Sequence, residues 1–313
     1  MTTTYKRPYA ARCRNLTGIY GPISEPGSPE WMQTMSASKV AAVLGLSPYM
    51  SRFTLWHQMA GTVAKEPTND AMRRGHYLEP AIRAWLADQI TGKIVRTGTW
   101  THPEIPWATA TPDGLAFVGG ARGGAQLVEI KSASNGDEWG ASGTDEIPAG
   151  YRAQIMWQLF VTGATYCRVG ALLPFLEFRQ YQVKYDRAEA EWILEAVREF
   201  MDSLSTRTPP PLDGAESTYQ TVRQLHPEID DVEVEVPYEI AADFLAIKHY
   251  LGTMEAEERA SRAEMLARMG SAKRAVCNGV TIATRAAKSG GTPYLSYPRT
   301  LPTLGQITTE EIA

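Results

Sequence analysis

The stretch Leu127-Val-Glu-Ile-Lys-Ser132 decides the fold of this 313-residue chain. Its apolar residues Val128 and Ile130 alternate with Glu129 and Lys131, and a period of two is typical of a half-buried β-strand. Alternate residues of a strand lie on one face, so the Glu129 carboxylate and the Lys131 ammonium are expected roughly 6–7 Å apart along the chain. The sequence therefore predicts a charged pair on one face of a central strand.

A second acidic segment, Thr111-Pro-Asp-Gly114, precedes this strand. Pro-Asp-Gly is typical of a turn, so we expect Asp113 to end a strand at 107–111 and to let the chain fold back as a hairpin. Asp113 would then lie beside Glu129, with Lys131 next to both. Two crowded carboxylates raise each other's pKa unless a cation binds between them. A hard divalent ion with oxygen ligands, such as Mg²⁺, meets that need.

The order of these elements is more informative than either element alone, because a Pro-Asp-Gly turn or a Glu-x-Lys strand by itself is often only structural. The order resembles the PD-(D/E)xK nuclease superfamily, with Pro112-Asp113 and Glu129-Ile130-Lys131 as the signature. Further segments resemble the YqaJ-like, or lambda-exonuclease-like, phage recombination exonucleases: Ser36-Ala-Ser38, Gly75-x-x-x-Glu79-Pro80 and Tyr151-x-x-Gln154. The resemblance spans roughly residues 30–205.

For the catalytic site, this resemblance implies metal-assisted phosphodiester hydrolysis. Lys131 would orient the attacking water, and Gln154 would position that water or the scissile phosphate. One or two Mg²⁺ ions, with Mn²⁺ as a substitute, would be bound at each site. The metal ligands implied are Glu79, Asp113, Glu129 and the carbonyl of Ile130.

For DNA binding, the resemblance implies that serines at a helix start hold the 5′-phosphate. Ser36 and Ser38 match these serines, and a helix amino terminus with hydroxyl groups is a ready anion site. The chain departs from the family because no arginine lies between Trp31 and Ser36, so Arg52 or Arg14 would fill that role. The predicted DNA contacts are Ser36, Ser38, Arg52, Arg74, Ser132 and Gln158, and the predicted strand-guiding or wedging side chains are Trp56, Arg52 and Arg74.

For the activity, the resemblance implies an exonuclease that digests linear duplex DNA from 5′ to 3′ and leaves 3′ overhangs for recombination by strand annealing. The implied partners are DNA ends, a single-strand annealing protein and further copies of the chain, which form a trimeric ring in this family. Two alternatives stay open: an endonuclease on the same core, and a module that binds DNA ends or serves as a scaffold without turnover. The complete set of Asp113, Glu129 and Lys131 argues against the second alternative.

The composition limits the class of protein. With 43% hydrophobic and 21% charged residues, the chain has an ordinary globular balance. No run approaches the ~20 apolar residues that cross a bilayer, and the amino terminus carries no signal-peptide segment. Cys13, Cys167 and Cys277 are too few and too scattered for a zinc, disulfide or iron–sulfur framework. We therefore expect a cytoplasmic protein without a membrane partner, and the resemblance implies a phage or prophage protein in a bacterial host.

Charge is segregated along the chain. The net charge of −4 is unusual for a nucleic-acid binder, although the local field in a cleft matters more than the sum. Residues 213–243 hold nine acidic side chains against one basic, and residues 259–299 hold eight basic side chains against one acidic. This asymmetry is compatible with solvated helix faces or with an interaction surface, and the acidic segment is a candidate docking surface for a partner protein.

The hydrophobic pattern predicts an α/β fold, an α+β sandwich in which helices flank a central mixed sheet. The resemblance implies that this is a restriction-endonuclease-like core. We predict an arm at 1–34, the nuclease core at 35–208 and a helical carboxy-terminal extension with a terminal hairpin at 209–313, after a proline linker at 209–211. The predicted helices are 36–45, 51–60, 70–89, 151–161, 187–204 and 238–269. The predicted strands are 93–101, 107–111, 126–132, 166–173, 178–185 and 232–237, with the terminal hairpin formed by 275–283 and 294–297.

Overall fold

A five-stranded mixed sheet forms the centre of the protein in the computed structural model, which describes residues 13–21, 28–64, 69–90, 92–118, 124–298 and 300–308. The strands, in spatial order, are β3 (Gly92–Val95), β6 (Gly114–Val118), β7 (Ala125–Ser132), β8 (Tyr166–Leu172) and β9 (Phe178–Lys184). Only β7 and β8 run parallel within this sheet, and helix α5 (Ala149–Thr162) supplies the crossover that parallel strands require. The carboxyl ends of β7 and β8 therefore lie at the same edge.

Helices cover both faces of this sheet. On one face, Ile82 and Leu86 of α4 (Asp70–Gln89) pack against Val128 and Ile130 of β7. On the other face, α5 and α6 (Arg187–Ser205) pack against Leu127 in the main core. The predicted fold class is confirmed, because the core is mixed α/β with a central mixed sheet between helices. It is consistent with a restriction-endonuclease-like architecture.

A second, four-stranded sheet carries the amino-terminal elements. Its order is β1 (Ile19–Gly21), β4 (Thr99–Thr101), β5 (Ala108–Ala110) and β2 (Met35–Ser36). Helices α1 (Pro29–Gln33), α2 (Ala37–Val43) and α3 (Arg52–Met59) follow β1 and β2 along the chain. The single strand predicted at 93–101 is wrong, because β3 belongs to the central sheet and β4 to this one. Parts of the predicted arm, residues 1–12 and 22–27, lie outside the described residues.

The hairpin turn predicted at 111–114 is also wrong. The chain passes from β5 of the small sheet through Asp113 directly into β6, a strand that the sequence analysis missed, and β6 then pairs antiparallel with β7. Gly114 begins β6 at a point where a Cβ atom would lie 2.8 Å from the carbonyl oxygen of Val95. Glycine is therefore needed there for the close approach of β3.

The first compact unit extends beyond the predicted core, because the chain divides after Ile229 and not after residue 208. Helix α7 (Glu216–Leu225), which the sequence analysis missed, packs on α3 within this unit. The hydroxyl of Thr218 lies 2.6 Å from that of Ser51, and the hydroxyl of Thr221 lies 2.8 Å from that of Thr54. These buried hydrogen bonds hold α7 to the rest of the first unit.

The second unit, Asp230–Ala313, contains the long helix α8 (Tyr238–Met269), the three-stranded sheet β10 (Arg274–Cys277), β11 (Val280–Ala286) and β12 (Tyr294–Ser296), and α9 (Leu304–Ile307). The strand predicted across 275–283 is broken because Asn278 and Gly279, with φ of 47° and 80°, form a tight hairpin turn. The predicted strand at 232–237 is wrong: these residues, all described, find no partner strand. No helix in the described part of the chain is long and apolar enough to span a bilayer.

Candidate active site

Two carboxylates meet where β6 begins beside β7. Gly114 pairs with Val128, and this register places Asp113 next to Glu129. The Asp113 carboxylate accepts a hydrogen bond of 2.7 Å from the backbone N–H of Ile130. Asp113 is half-buried and Glu129 is only 2% exposed. The structure therefore brings together the two acidic residues predicted to bind metal, although by strand pairing and not by the predicted turn.

Three side chains hold the Glu129 carboxylate. Its Oε1 accepts from Lys131 Nζ at 2.5 Å and from Gln154 Nε2 at 2.6 Å, and its Oε2 accepts from Gln158 Nε2 at 2.8 Å. Lys131 Nζ also donates to Gln154 Oε1 at 3.1 Å. Gln154 and Gln158 reach one carboxylate because residues four apart lie on the same face of a helix. This network fixes the orientation of both charged groups.

The electrostatics of the cluster favour an additional positive charge. Burial, followed by the nearby Glu129 carboxylate, raises the pKa of Asp113 to about 8, against an opposing effect of Lys131. Burial opposes the charge of Lys131, but the carboxylates of Glu129 and Asp113 raise its pKa overall. The carboxyl groups of Asp113 and Glu129 thus share the positive charge of Lys131 in a buried site of low dielectric constant. The donor set fits a hard divalent cation, which would hold Asp113 in its charged form.

Glu79 lies close enough to Asp113 for its negative charge to help raise the pKa of Asp113, but arginines surround its carboxylate. Glu79 lies on α4, half-buried, where its Oε1 bonds to Arg83 one turn later and lies 4.0 Å from Arg96 Nη2. Among the residues that the structure describes, no group of three or more histidine, cysteine, aspartate or glutamate side chains is arranged to hold a metal ion. Arg83 donates to one oxygen of the Glu79 carboxylate, and the role of Glu79 as a metal ligand stays a prediction.

The predicted DNA contact of Gln158 is wrong. Gln158 is only 1% exposed, and its amide donates to Glu129 from the interior. A side chain in this position cannot reach a DNA backbone. Gln158 is therefore a positioning residue for the Glu129 carboxylate.

A test of this role is Gln158→Leu, which removes the donor and keeps a side chain of similar size. Because a buried carboxylate oxygen then loses its partner, we expect the free energy of unfolding to fall by about 1–3 kcal/mol. Chemical denaturation measures this change. DNA affinity, measured without divalent metal, should be unchanged. A variant as stable as the wild type but weaker in DNA binding would restore the original prediction.

Tyr151 is a site residue that the sequence analysis did not assign. The ammonium of Lys131 lies 4.8 Å from the centre of the Tyr151 ring, within cation–π distance. Tyr151 precedes Gln154 by three residues on α5, and this spacing places both on one helix face. The same spacing is visible in the sequence, so the aromatic ring beside Lys131 could have been predicted from it.

The serines predicted to bind the DNA end lie near the site in the topology. Ser36 is the N-cap residue of α2, and its hydroxyl lies 3.3 Å from that of Ser38. β2 runs parallel to β5 with Ser36 opposite Thr109, four residues before Asp113. Strands β2 and β5 therefore run toward the same region of the protein. Phosphate binding by the two serines stays a prediction.

Two other predicted DNA contacts share the edge of the central sheet. A Cβ atom on Gly75 of α4 would lie 3.7 Å from the hydroxyl of Ser132, so α4 lies against the carboxyl end of β7 there. Arg74, the residue before Gly75, is exposed. Ser132 thus lies at the carboxyl end of β7 beside the helix that carries Arg74, and the DNA contacts of both residues stay predictions.

The structure places Arg52 and Trp56 differently from the predictions. Arg52 donates to Glu199 at 3.1 Å and lines a cavity of about 320 Å³ with Ser51 and Asp213. Arg52 is therefore engaged within the protein, and its contact with DNA is untested. Trp56 is only 5% exposed in the main core. The prediction that Trp56 wedges DNA strands apart is wrong, because a core aromatic cannot reach a base pair.

The sequence model of the YqaJ-like viral recombinase domain matches residues 30–165. Similar solved structures include the alkaline exonuclease LHK-Exo from Laribacter hongkongensis, with 22% identity, a TM-score of 0.46 and coverage of 62% of this chain and 95% of that one. The structure of LHK-Exo in complex with dAMP has 25% identity and a TM-score of 0.44, and the match covers 56% of this chain and 90% of that one. A phage related exonuclease from Haemophilus somnus 129PT has 11% identity and a TM-score of 0.41, and the match covers 56% of this chain and 96% of that one. No curated protein matches the chain in sequence.

Proposed function

We propose that this chain, whose residues 30–165 match the sequence model of the YqaJ-like viral recombinase domain, is a Mg²⁺-dependent exonuclease that digests linear duplex DNA. The observation that carries the proposal is the buried cluster in which Asp113 and Glu129 share Lys131. Digestion from 5′ to 3′ would leave 3′ overhangs, which are the substrate of strand annealing. The family and the site chemistry support this reading together.

In this mechanism, Asp113 and Glu129 would hold the metal, with the Ile130 carbonyl and Glu79 as further candidate ligands. One or two bound Mg²⁺ ions, or Mn²⁺ in their place, would supply an activated water and neutralise the leaving 3′-oxygen. Lys131 orients the attacking water and offsets the charge that develops on the phosphate. Gln154, bonded to both Glu129 and Lys131, keeps these two groups in register.

The direct test uses end-labelled linear duplexes, with and without a 5′-phosphate, and closed circular DNA of the same sequence. With Mg²⁺ we expect linear DNA to be degraded from its ends, faster when phosphorylated, and closed circles to stay intact. A chelator should stop the reaction. Cleavage of closed circles would instead indicate an endonuclease on the same core. Binding of DNA ends without any cleavage, in Mg²⁺ or Mn²⁺, would indicate a module without turnover.

We further propose that the partners of the chain are a single-strand annealing protein and additional copies of the chain, with a trimer as the expected assembly. The acidic segment 213–243 is a candidate surface for the annealing protein, since it holds nine acidic side chains against one basic. DNA affinity should fall steeply with salt, because each phosphate contact releases counterions. These partners are supported by the family and by charge alone.

Metal affinity should depend on pH through Asp113. Its pKa of about 8 means that the metal-free protein carries a proton there at pH 7, and metal binding must release it. Because the proton competes with the metal, Mg²⁺ affinity should rise about tenfold per pH unit up to pH 8 and then level off. Titration calorimetry in two buffers of different ionisation enthalpy should show about one proton released per ion at pH 7. Binding with no proton release would contradict this protonation state.

A further inference from the structure

The connection between β8 and β9 carries two exposed apolar side chains on an unusual backbone. Phe175 is 103% exposed and Leu176 is 73% exposed. Both residues have positive φ, 61° and 63°, a conformation that bulky side chains rarely adopt. Backbone strain of this kind concentrates at ligand clamps and active sites. The mechanism proposed above gives this tip, Phe175–Leu176, no role.

The tip lies close to the catalytic lysine along the sheet. Lys131 is paired with Ala171 and Ser132 with Leu172 in the parallel ladder of β7 and β8. Phe175 follows Ala171 by four residues, so it is at most about 13 Å further along the chain. The tip therefore projects from the same sheet edge at which β7 presents Lys131 and Ser132.

The base of the tip is fixed by several contacts. The N–H of Leu173 donates to the carbonyl of Glu177 at 2.8 Å, which closes the turn. Arg179 pairs with the Glu177 carboxylate at 2.8 Å and donates to the carbonyls of Trp139 and Gly140 at 3.1 and 3.0 Å. Phe178 stacks on Trp85 of α4 with ring centres 4.8 Å apart. The backbone that carries the two exposed side chains is thus held at its base before any ligand arrives.

From this placement, and resting on the proposed function, we propose that Phe175 and Leu176 stack on nucleobases at the DNA end and separate the terminal base pair. Apolar side chains inserted at base steps unstack them, and aromatic rings stack on any base because every base has a π-face. The exposed Arg74 lies near Ser132 at the same edge, where a cation can contact the backbone of the separated strands. The tip would serve duplex ends and be dispensable for ends that are already open.

The test compares the double variant Phe175→Ala, Leu176→Ala with the wild type on two substrates. One is a blunt 5′-phosphorylated duplex, and the other is the same duplex with an unpaired fork at the digested end. We expect the variant to digest the blunt end at least about tenfold more slowly, consistent with the loss of base stacking, and the forked end at the wild-type rate. Trp192→Ala, which removes a 57% exposed aromatic of α6, should match the wild type on both.

A second measurement reads strand separation directly. With 2-aminopurine in the terminal pair and Ca²⁺ in place of Mg²⁺, the wild type should raise the fluorescence on binding and the double variant should not. If the double variant digests blunt and forked ends more slowly by the same factor, or digests both at the wild-type rate, the proposed role of the tip is wrong. This holds also if the variant has only lost the binding of a protein partner. A wild type that digests neither substrate overturns the proposed function, and this proposal with it.

Discussion

Lys131→Met should lower the rate of DNA cleavage by roughly 10²–10³-fold while DNA binding stays close to that of the wild type. The ammonium lies 2.5 Å from Glu129 Oε1 and 3.1 Å from Gln154 Oε1, so it is poised beside the group that would bind metal. Methionine keeps the length of the side chain and removes the charge that stabilises the developing phosphate charge. Single-turnover digestion of an end-labelled duplex measures the cleavage rate, and a binding titration with Ca²⁺ measures the affinity.

The matched control is Lys184→Met, which removes an exposed lysine of β9 in the same sheet. This variant should cleave like the wild type. If Lys131→Met also cleaves at the wild-type rate with Mg²⁺, the assignment of the lysine is wrong. If it loses cleavage and DNA binding together, Lys131 acts in binding and not in the chemical step.

Asp113→Asn should remove both metal binding and cleavage. The side-chain oxygen of asparagine can still accept from the N–H of Ile130, so the start of β6 should be preserved. The charge that attracts the cation is lost, and metal-supplied stabilisation of several kcal/mol corresponds to at least about 10²-fold in rate. Titration calorimetry with Mn²⁺ measures the affinity, and duplex digestion measures the rate.

The control for Asp113→Asn is Asp88→Asn, at an exposed position of α4. It should bind Mn²⁺ and digest DNA like the wild type. Circular dichroism and thermal unfolding establish that both variants are folded. Undiminished Mn²⁺ affinity in folded Asp113→Asn would exclude this carboxylate as a ligand.

Local patterns were enough to predict much of the site. The alternation in 127–132 placed Glu129 and Lys131 on one face of β7, and the structure joins them by a hydrogen bond. The spacing of Gln154 and Gln158 predicted a shared helix face, which both amides use to hold Glu129. Periodicity does not report burial, however. For that reason Gln158 was assigned to DNA although it lies in the interior.

Other elements depended on tertiary contacts that no local pattern contains. The strand 114–118 begins with glycine and then reads as an uninterrupted apolar run, so neither alternation nor a turn signal marked it. Helix α7 is rich in threonine and other polar residues, and it is held by buried hydroxyl contacts to α3 instead of an apolar stripe. The pairing of Glu79 with Arg83 could have been read from the i, i+4 spacing.

The most direct test of the account is the position of a bound metal. Crystals of Lys131→Met, soaked with Mn²⁺ and measured at a wavelength where manganese scatters anomalously, should give an anomalous difference peak between the carboxylates of Asp113 and Glu129. Carboxylate oxygens should lie within about 2.0–2.6 Å of the peak, the range for hard divalent cations. A fully soaked crystal with no peak there, or with a peak bound only to other residues, would contradict the proposed metal site and the nuclease mechanism built on it.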